Sequence, residues 1–266
     1  MVGFKKNKLA SYFFIGFALL FFYLPILLMV VFSFNNSRSL SSWQGFSLQW
    51  YEQLFRDREI VQVVINTLMV AFISTIISTI VGTLTAIGLS KTNKILKEVI
   101  LNINNLPILN PEIVTAIGMM LLFSSLGFAK GFMTMLISHI AFCIPYVILS
   151  VLPKLRSLDE NIAEAALDLG ATPWQAMIKI IVPQIMPGII SGALIAFTMS
   201  FDDFVISYFV TGNGFKNISI LVYTMSKRIN PTINALSSIL VLIITIVLII
   251  INIIPLIKRK ERTVEQ

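Results

Sequence analysis

Asp202 and Asp203 stand side by side in "MSFDDFVISYFV", a stretch otherwise suited to lipid, and Glu112 follows Asn110-Pro111 in another apolar region. A charged side chain facing lipid at a helix centre costs about 2.5–3.5 kcal/mol, so all three carboxylates should point into the protein. There they can replace the water around a cation. They can also serve structure alone, in helix–helix hydrogen bonds or at a capped helix end. Intramembrane ionisable residues are functional by default, which favours the first use. Neighbouring helix residues point about 100° apart, so Asp202 and Asp203 should have different jobs, one lining a path and the other pairing with an adjacent helix. Ser200, Ser207, Tyr208 and Asn66 are weaker candidates, because such groups often only join membrane helices. His139 is the single histidine and has no carboxylate near it in sequence. It is expected to pack and hydrogen-bond rather than relay protons.

A second candidate is "EAALDLGATPWQAMIKIIVP", Glu164 to Pro183, amphipathic and charged between two apolar regions. Ser157-Leu158-Asp159-Glu160 fits a capping box and predicts a helix start. The helix should run through "NIAEAALDL" and end at Gly170, which can take the left-handed conformation. Thr172-Pro173-Trp174-Gln175 is a second capping box with proline at the first helical position, predicting a short helix to about residue 182. Pro183 and Pro187 then mark a return to the membrane. Ala163, Ala165 and Ala166 leave little side-chain bulk, while Glu164 and Asp168 share a face four residues apart. On periodicity alone, docking of a partner and packing against the chain's own helices are equally good readings.

The elements that must position these residues are membrane helices. The chain is 56% hydrophobic and 12% charged, against about 25% charged in soluble domains, which excludes a soluble fold. The pattern predicts an all-α polytopic membrane protein with six transmembrane helices, at about 9–34, 61–89, 99–125, 130–152, 184–210 and 232–257, and a loop over about 154–183. The first span is too long for a signal-peptide core and lacks a small-x-small cleavage site, so it reads as a retained helix. The third is broken by Asn102, Asn104, Asn105, Pro107, Asn110, Pro111 and Glu112, and should face the protein interior, where irregular backbone is tolerated.

With both ends in the cytosol, thirteen of the 20 basic residues lie on that side, in groups at 5–8, 91–97, 154–179 and 258–262. The positive-inside rule therefore puts the 154–183 loop in the cytosol, and the net charge of +7 marks a membrane face rather than a nucleic-acid partner. In the first outer loop, Trp43, Trp50 and Tyr51 fit an interfacial aromatic belt or a docking surface for an external partner, the belt being favoured. In the second, Ile218 to Met225 suggests a short helix, and Asn230-Pro231 the start of the last span. The lone Cys143 excludes an intramolecular disulfide and a multi-cysteine metal site. No phosphate loop, HExxH or CxxC pattern occurs, so neither an ATPase nor a metal enzyme is legible in this chain.

Glu164-Ala165-Ala166, three residues, Gly170, nine residues, Ile180, one residue, Val182 and Pro183 resembles the EAA loop of ABC-importer permeases, EAA-x3-G-x9-I-x-L-P. Only Val182 departs, replacing leucine by another apolar residue. "SSWQGFSLQWY", "SHIAFCIPYV", "SFDDFVISYFVTG" and "PTINALSSIL" look most like the C-type permease subunit of spermidine/putrescine importers, and the likeness covers nearly the whole chain. The resemblance implies a type I ABC-importer permease fold, with residues 1–266 as one permease domain in a bacterial cytoplasmic membrane. Glu164, Ala165, Ala166, Asp168, Gly170, Ile180 and Pro183 would form the coupling loop. The implied partners are a second homologous permease, a cytosolic ATPase dimer that binds ATP and magnesium, and an extracytoplasmic polyamine-binding protein. Alternating access would then carry a chain of ammonium groups past Asp202, Asp203 and Glu112. The alternatives are a permease for ferric iron, thiamine or a phosphonate, and an ion-coupled secondary transporter.

Overall fold

The computed structural model describes residues 8–39, 42–159, 161–212, 214–226, 230–246 and 249 of the 266. The described chain is helical throughout apart from one isolated bridge between Asn35 and Phe46. It separates into two compact units, residues 62–221 and residues 1–61 with 222–266.

Four of the described helices are long and apolar enough to cross a membrane: Tyr12–Phe32, Arg58–Ser90, Phe132–Arg156 and Pro173–Asp202. The predicted third span is two helices, α4 (Lys94–Leu109) and α5 (Glu112–Ser125), bent by 104° at Asn110-Pro111 and together passing the same test. The bend has a local cause. The residue before a proline is pushed out of the α region, and Asn110 takes an extended ψ of 148°. The sixth predicted span begins as the apolar helix Thr232–Ile246. Its predicted remainder to 257, and the basic residues 258–262, lie outside the described residues.

In the smaller unit, α1 (Lys8–Phe32) is apolar on every side and exposed from Tyr12 to Leu28, as a helix meant for lipid would be. After it, the buried Asn35 organises a loop. Its amide donates to the carbonyls of Ser39 and Ser42 at 3.0 and 2.8 Å, and its oxygen accepts from Gln44 N at 2.8 Å. A short helix, α2 (Gln49–Arg56), closes this loop.

The larger unit is built on the packing of α6 (Phe132–Arg156) against α9 (Val182–Asp202). Gly188 and Gly192 make that contact close: a Cβ on Gly188 would come within 3.0 Å of Ser150 O, and one on Gly192 within 3.2 Å of Val147 Cα. This is the small-xxx-small device of membrane helix packing. Around it Val70 and Ala86 of α3 (Arg58–Ser90), Phe123 of α5 and Ile206 of α10 (Val205–Val210) complete one apolar core.

The broken third span departs from expectation. No residue of α4 is fully buried, and Ile95, Leu96, Val99, Ile103, Leu106 and Leu109 are exposed. The half-buried residues, Lys97, Ile100, Leu101, Asn104, Asn105, Pro107 and Ile108, fall on one stripe at helical spacing. The polar residues thus need a single inward stripe rather than burial of the whole segment, because the other faces are apolar enough for lipid.

Candidate functional site

The fifth predicted span is broken where the two aspartates lie. α9 ends at Asp202, and α10 starts at Val205, after Asp203 and Phe204. Asp203 makes the break by capping the new helix, its carboxylate accepting from Ile206 N at 3.2 Å and Ser207 N at 2.7 Å. Aspartate is among the best N-caps because it satisfies amides that have no helical partner. Ser207 Oγ also donates to Asp203 Oδ2 at 2.7 Å.

Asp203 is 5% exposed and faces His139 of α6, whose Nε2 lies 3.3 Å from Oδ2. The same ring links Ser207 Oγ at 3.0 Å through Nε2 and Ser200 Oγ at 2.7 Å through Nδ1. Because Ser207 spends its hydrogen on Asp203, the nitrogen facing both must donate. That places a proton on Nε2, while Nδ1 faces the Ser200 hydroxyl. Ser74 of α3 donates to Ser200 at 2.9 Å. Asn217 closes the network, donating to Asp203 O at 2.8 Å and Ser207 Oγ at 2.9 Å, while its own oxygen caps the helix Ile218–Ser226 through Ile220 N at 2.9 Å. Five chain segments thus meet in one hydrogen-bond network around this buried carboxylate. The carboxylate partner of His139 is 64 positions away in sequence, so no local pattern announces it.

The other two acids are placed differently. Asp202 is exposed and Glu112, the first residue of α5, is half-buried. Glu112 lies close enough to Asp203, and secondarily to Asp202, to interact with their charges. The structure therefore brings all three sequence candidates together. Among the described residues neither Glu112 nor Asp202 has a basic side chain at ion-pair distance, whereas Asp203 has His139. Asp202 also closes the C-terminal end of α9, where the helix dipole disfavours a carboxylate and favours a cation. Beside the break, the Phe204 and Tyr208 rings sit 5.4 Å apart, with Tyr208 exposed. Asn66 is committed elsewhere, its amide donating to Lys216 O at 3.3 Å.

At the other end of the span, α7 (Ile162–Asp168) meets Gly170, whose φ is +84°. Gly170 N donates to Leu167 O at 2.9 Å and Ala171 N to Ala166 O at 3.0 Å, the paired bonds of a Schellman ending. The capping box at Thr172 is present in both directions: Thr172 N donates to Gln175 Oε1 at 3.0 Å, and Gln175 N to Thr172 Oγ1 at 3.3 Å.

The expected start at Ser157 is not. Ser157 closes α6 with its hydroxyl donating to Lys154 O at 2.8 Å, and the turn into α7 is made by Asp159, which accepts from Asn161 N at 3.0 Å. Ser157 prefers the last orphan carbonyls of a helix that already exists. Glu160 lies outside the described residues. Nor does a separate second helix end near 182: α8 (Pro173–Ala176) runs through a π-helical turn, Met177–Ile181, into α9. Pro183 has no N–H for the carbonyl four residues back and would collide with it, and the widened turn before it gives the room.

The loop's surface is unusual for a helix pair in water. Ala166 and Ala176 are buried, but Leu169 is 89% and Trp174 64% exposed, with Leu167 and Ile178 also exposed beside Glu164 and Asp168. Of the remaining candidates, Ala165 and Pro183 are exposed and Ile180 is half-buried. In the smaller unit, Trp50 is no docking surface: it is 7% exposed, with Nε1 donating to Asn35 O at 2.8 Å. Tyr51 bonds Ser33 Oγ at 2.6 Å and packs on Phe34. Trp43 alone of the three is largely exposed.

A family model described as "Binding-protein-dependent transport system inner membrane component" matches residues 78–258. The chain is 36% identical over 224 residues to the spermidine/putrescine transport system permease protein PotC of Haemophilus influenzae, covering 84% of this chain and 87% of that protein. It is 37% identical over 228 residues to the putrescine transport system permease protein PotI of Escherichia coli K12, covering 83% and 81%. In fold it is similar to a bacterial ABC transporter involved in import of the acidic polysaccharide alginate, with a TM-score of 0.68 over 96% of this chain and 99% of that one, at 16% identity. The extent of the family match, together with relatives above one-third identity over most of both lengths, makes this chain a member of the binding-protein-dependent transport system inner-membrane component family.

Proposed function

We propose that residues 1–266 act as one permease domain of an ATP-driven importer that carries polyamines inward by alternating access. The observation that carries this reading is the pair Glu112 and Asp202, two acids at two separate helix breaks, with no basic partner among the described residues. A polyamine is a chain of ammonium groups that must shed water at a constriction. Two uncompensated carboxylates can replace that water, and the exposed ring of Tyr208 adds a face that attracts cations. Asp203 then acts behind them: by holding the break it fixes where Asp202 points. The names of the relatives support the polyamine class.

On the same reading the loop ending in Gly170 lies in the cytosol with both chain ends. Its exposed Leu169 and Trp174, flanked by Glu164 and Asp168, enter a groove of a separate ATPase subunit, which binds ATP and magnesium. A second permease completes the pathway, and an external binding protein delivers cargo, the latter supported by the family description. The chain itself catalyses no reaction. The test is uptake of labelled spermidine into proteoliposomes holding the full assembly. Uptake that requires ATP supports the reading; ATP hydrolysis without spermidine uptake overturns the cargo, and uptake indifferent to the ATPase overturns the mechanism.

A further inference from the structure

A cleft of about 440 Å³ lies where α3 meets α4, against the end of α6 and the root of the loop. Lys91, Lys97 and Arg156 line it, opposed among the described residues by the carboxylate of Asp159. One oxygen of that carboxylate is already engaged by Asn161 N at 3.0 Å. Among the described residues none of the three cations forms an ion pair. Lys97 belongs to the half-buried stripe of α4 and shares the cleft with Arg156. Three cations facing one described carboxylate leave a net positive cleft, which favours an anion. A cationic cargo would be repelled there, so the cleft is distinct from the acids at the helix breaks.

The rest of the cleft is apolar. Leu155, Leu158 and Ile181 form its wall. Arg156 also borders a second, smaller groove of about 130 Å³ between α4 and α6, floored by Leu101, Leu149 and Leu152. That groove follows the spans away from the charges, and the exposed apolar face of α4 flanks it. A charged cleft joined at one arginine to an apolar groove along membrane helices has the shape of an amphiphile. A free inorganic anion has no use for the groove.

We infer that Lys91, Lys97 and Arg156 bind the phosphate of an anionic phospholipid, with an acyl segment lying in the α4–α6 groove. Arginine offers a planar fork matched to phosphate, and lysine a point charge. Basic pockets between membrane helices are established lipid headgroup sites. Because the cleft also touches Leu158, Asp159 and Ile162 at the base of α7, a bound lipid braces the loop against the end of α6. That bracing, and its placement in the cytosolic leaflet, rest on the orientation proposed above; the binding itself does not.

The test uses the full-length chain in nanodiscs of phosphatidylcholine with a minor fraction of spin-labelled phosphatidylglycerol, measuring immobilised label against a spin-labelled phosphatidylcholine control. The Lys97→Gln/Arg156→Gln variant should lose phosphatidylglycerol retention by roughly tenfold or more, as expected for two charge-assisted contacts. Lys94→Gln/Lys179→Gln, with the same charge change outside the cleft, should retain it. Leu101→Trp fills the groove without touching a charge and should also release the lipid, so a folding failure of the first variant leaves the claim exposed. Equal retention by all variants overturns the site. Displacement by inorganic phosphate as readily as by added phosphatidylglycerol overturns the lipid and leaves a simple anion site. Release of lipid when the ATPase binds, with cross-linking of Lys97 to it, assigns the cleft to protein instead. None of these readouts depends on transport, so loss of the polyamine reading would leave the result standing.

Discussion

The two ends of the fifth span follow opposite rules. At Asp203 polar groups are buried and each one has a partner, so the break in the helix is a finished structure. At Gly170 the backbone is just as well satisfied, yet Leu169 and Trp174 stand in the open. A buried, fully paired carboxylate gives rigidity, since removing one partner strands the others. Exposed large apolar side chains on a stiff bend mark a surface still to be covered. One rod, Pro173–Asp202, joins the two. On the proposed reading it carries displacement from a docked ATPase to the acids at its far end.

Breaking the finished end should have the largest effect. Asp203→Ala strands His139, Ser207 and two backbone amides, and should cost about 3–5 kcal/mol in thermal unfolding of the purified chain, with uptake lost. Asp203→Asn keeps an acceptor and should cost less. An unchanged melting temperature in Asp203→Ala would show that the network is ornamental.

At the unfinished end, folding should survive while coupling fails. Gly170→Val forces a β-branched residue to φ near +84° at about 1–2 kcal/mol, enough to distort the bend locally. The chain should insert normally, but ATP hydrolysis by the assembly should no longer drive uptake. Trp174→Ala removes an exposed anchor and should weaken ATPase binding by about 5- to 30-fold, with no change in melting temperature. Thr172→Ala removes half a capping box and is the mildest case. It should cost about 1 kcal/mol of local helix stability, seen as faster hydrogen exchange over 173–176.

Legibility in the sequence followed distance along the chain. Gly170, Thr172 and Asn230 act on nearby residues, so glycine, capping and turn chemistry announce them. The pairing of His139 with Ser200, Asp203 and Ser207 spans 61 to 68 positions and depends on how α6 packs against α9. Only the direction of the answer was readable, in that two adjacent aspartates must differ. Asp203 did carry one missed local signal: an acid just before "FVISYFV" is an N-cap as well as a charge. Ser157 shows the reverse error, a capping motif outcompeted by the C-terminal carbonyls of α6. Trp50 looked like interface because aromatic clusters do, and only its bond to Asn35 reveals an anchor.

Asp202 and Asp203 are adjacent, of equal charge and, on this account, unlike in every other respect, which makes the first of them the sharpest test. The measurement is the number of spermidine molecules taken up per ATP hydrolysed by the reconstituted assembly carrying Asp202→Asn, with the melting temperature of the same protein beside it. The account predicts a clear fall in that ratio at an unchanged melting temperature. A normal ratio, or a fall that merely tracks lost stability, would contradict the claim that Asp202 meets the cargo.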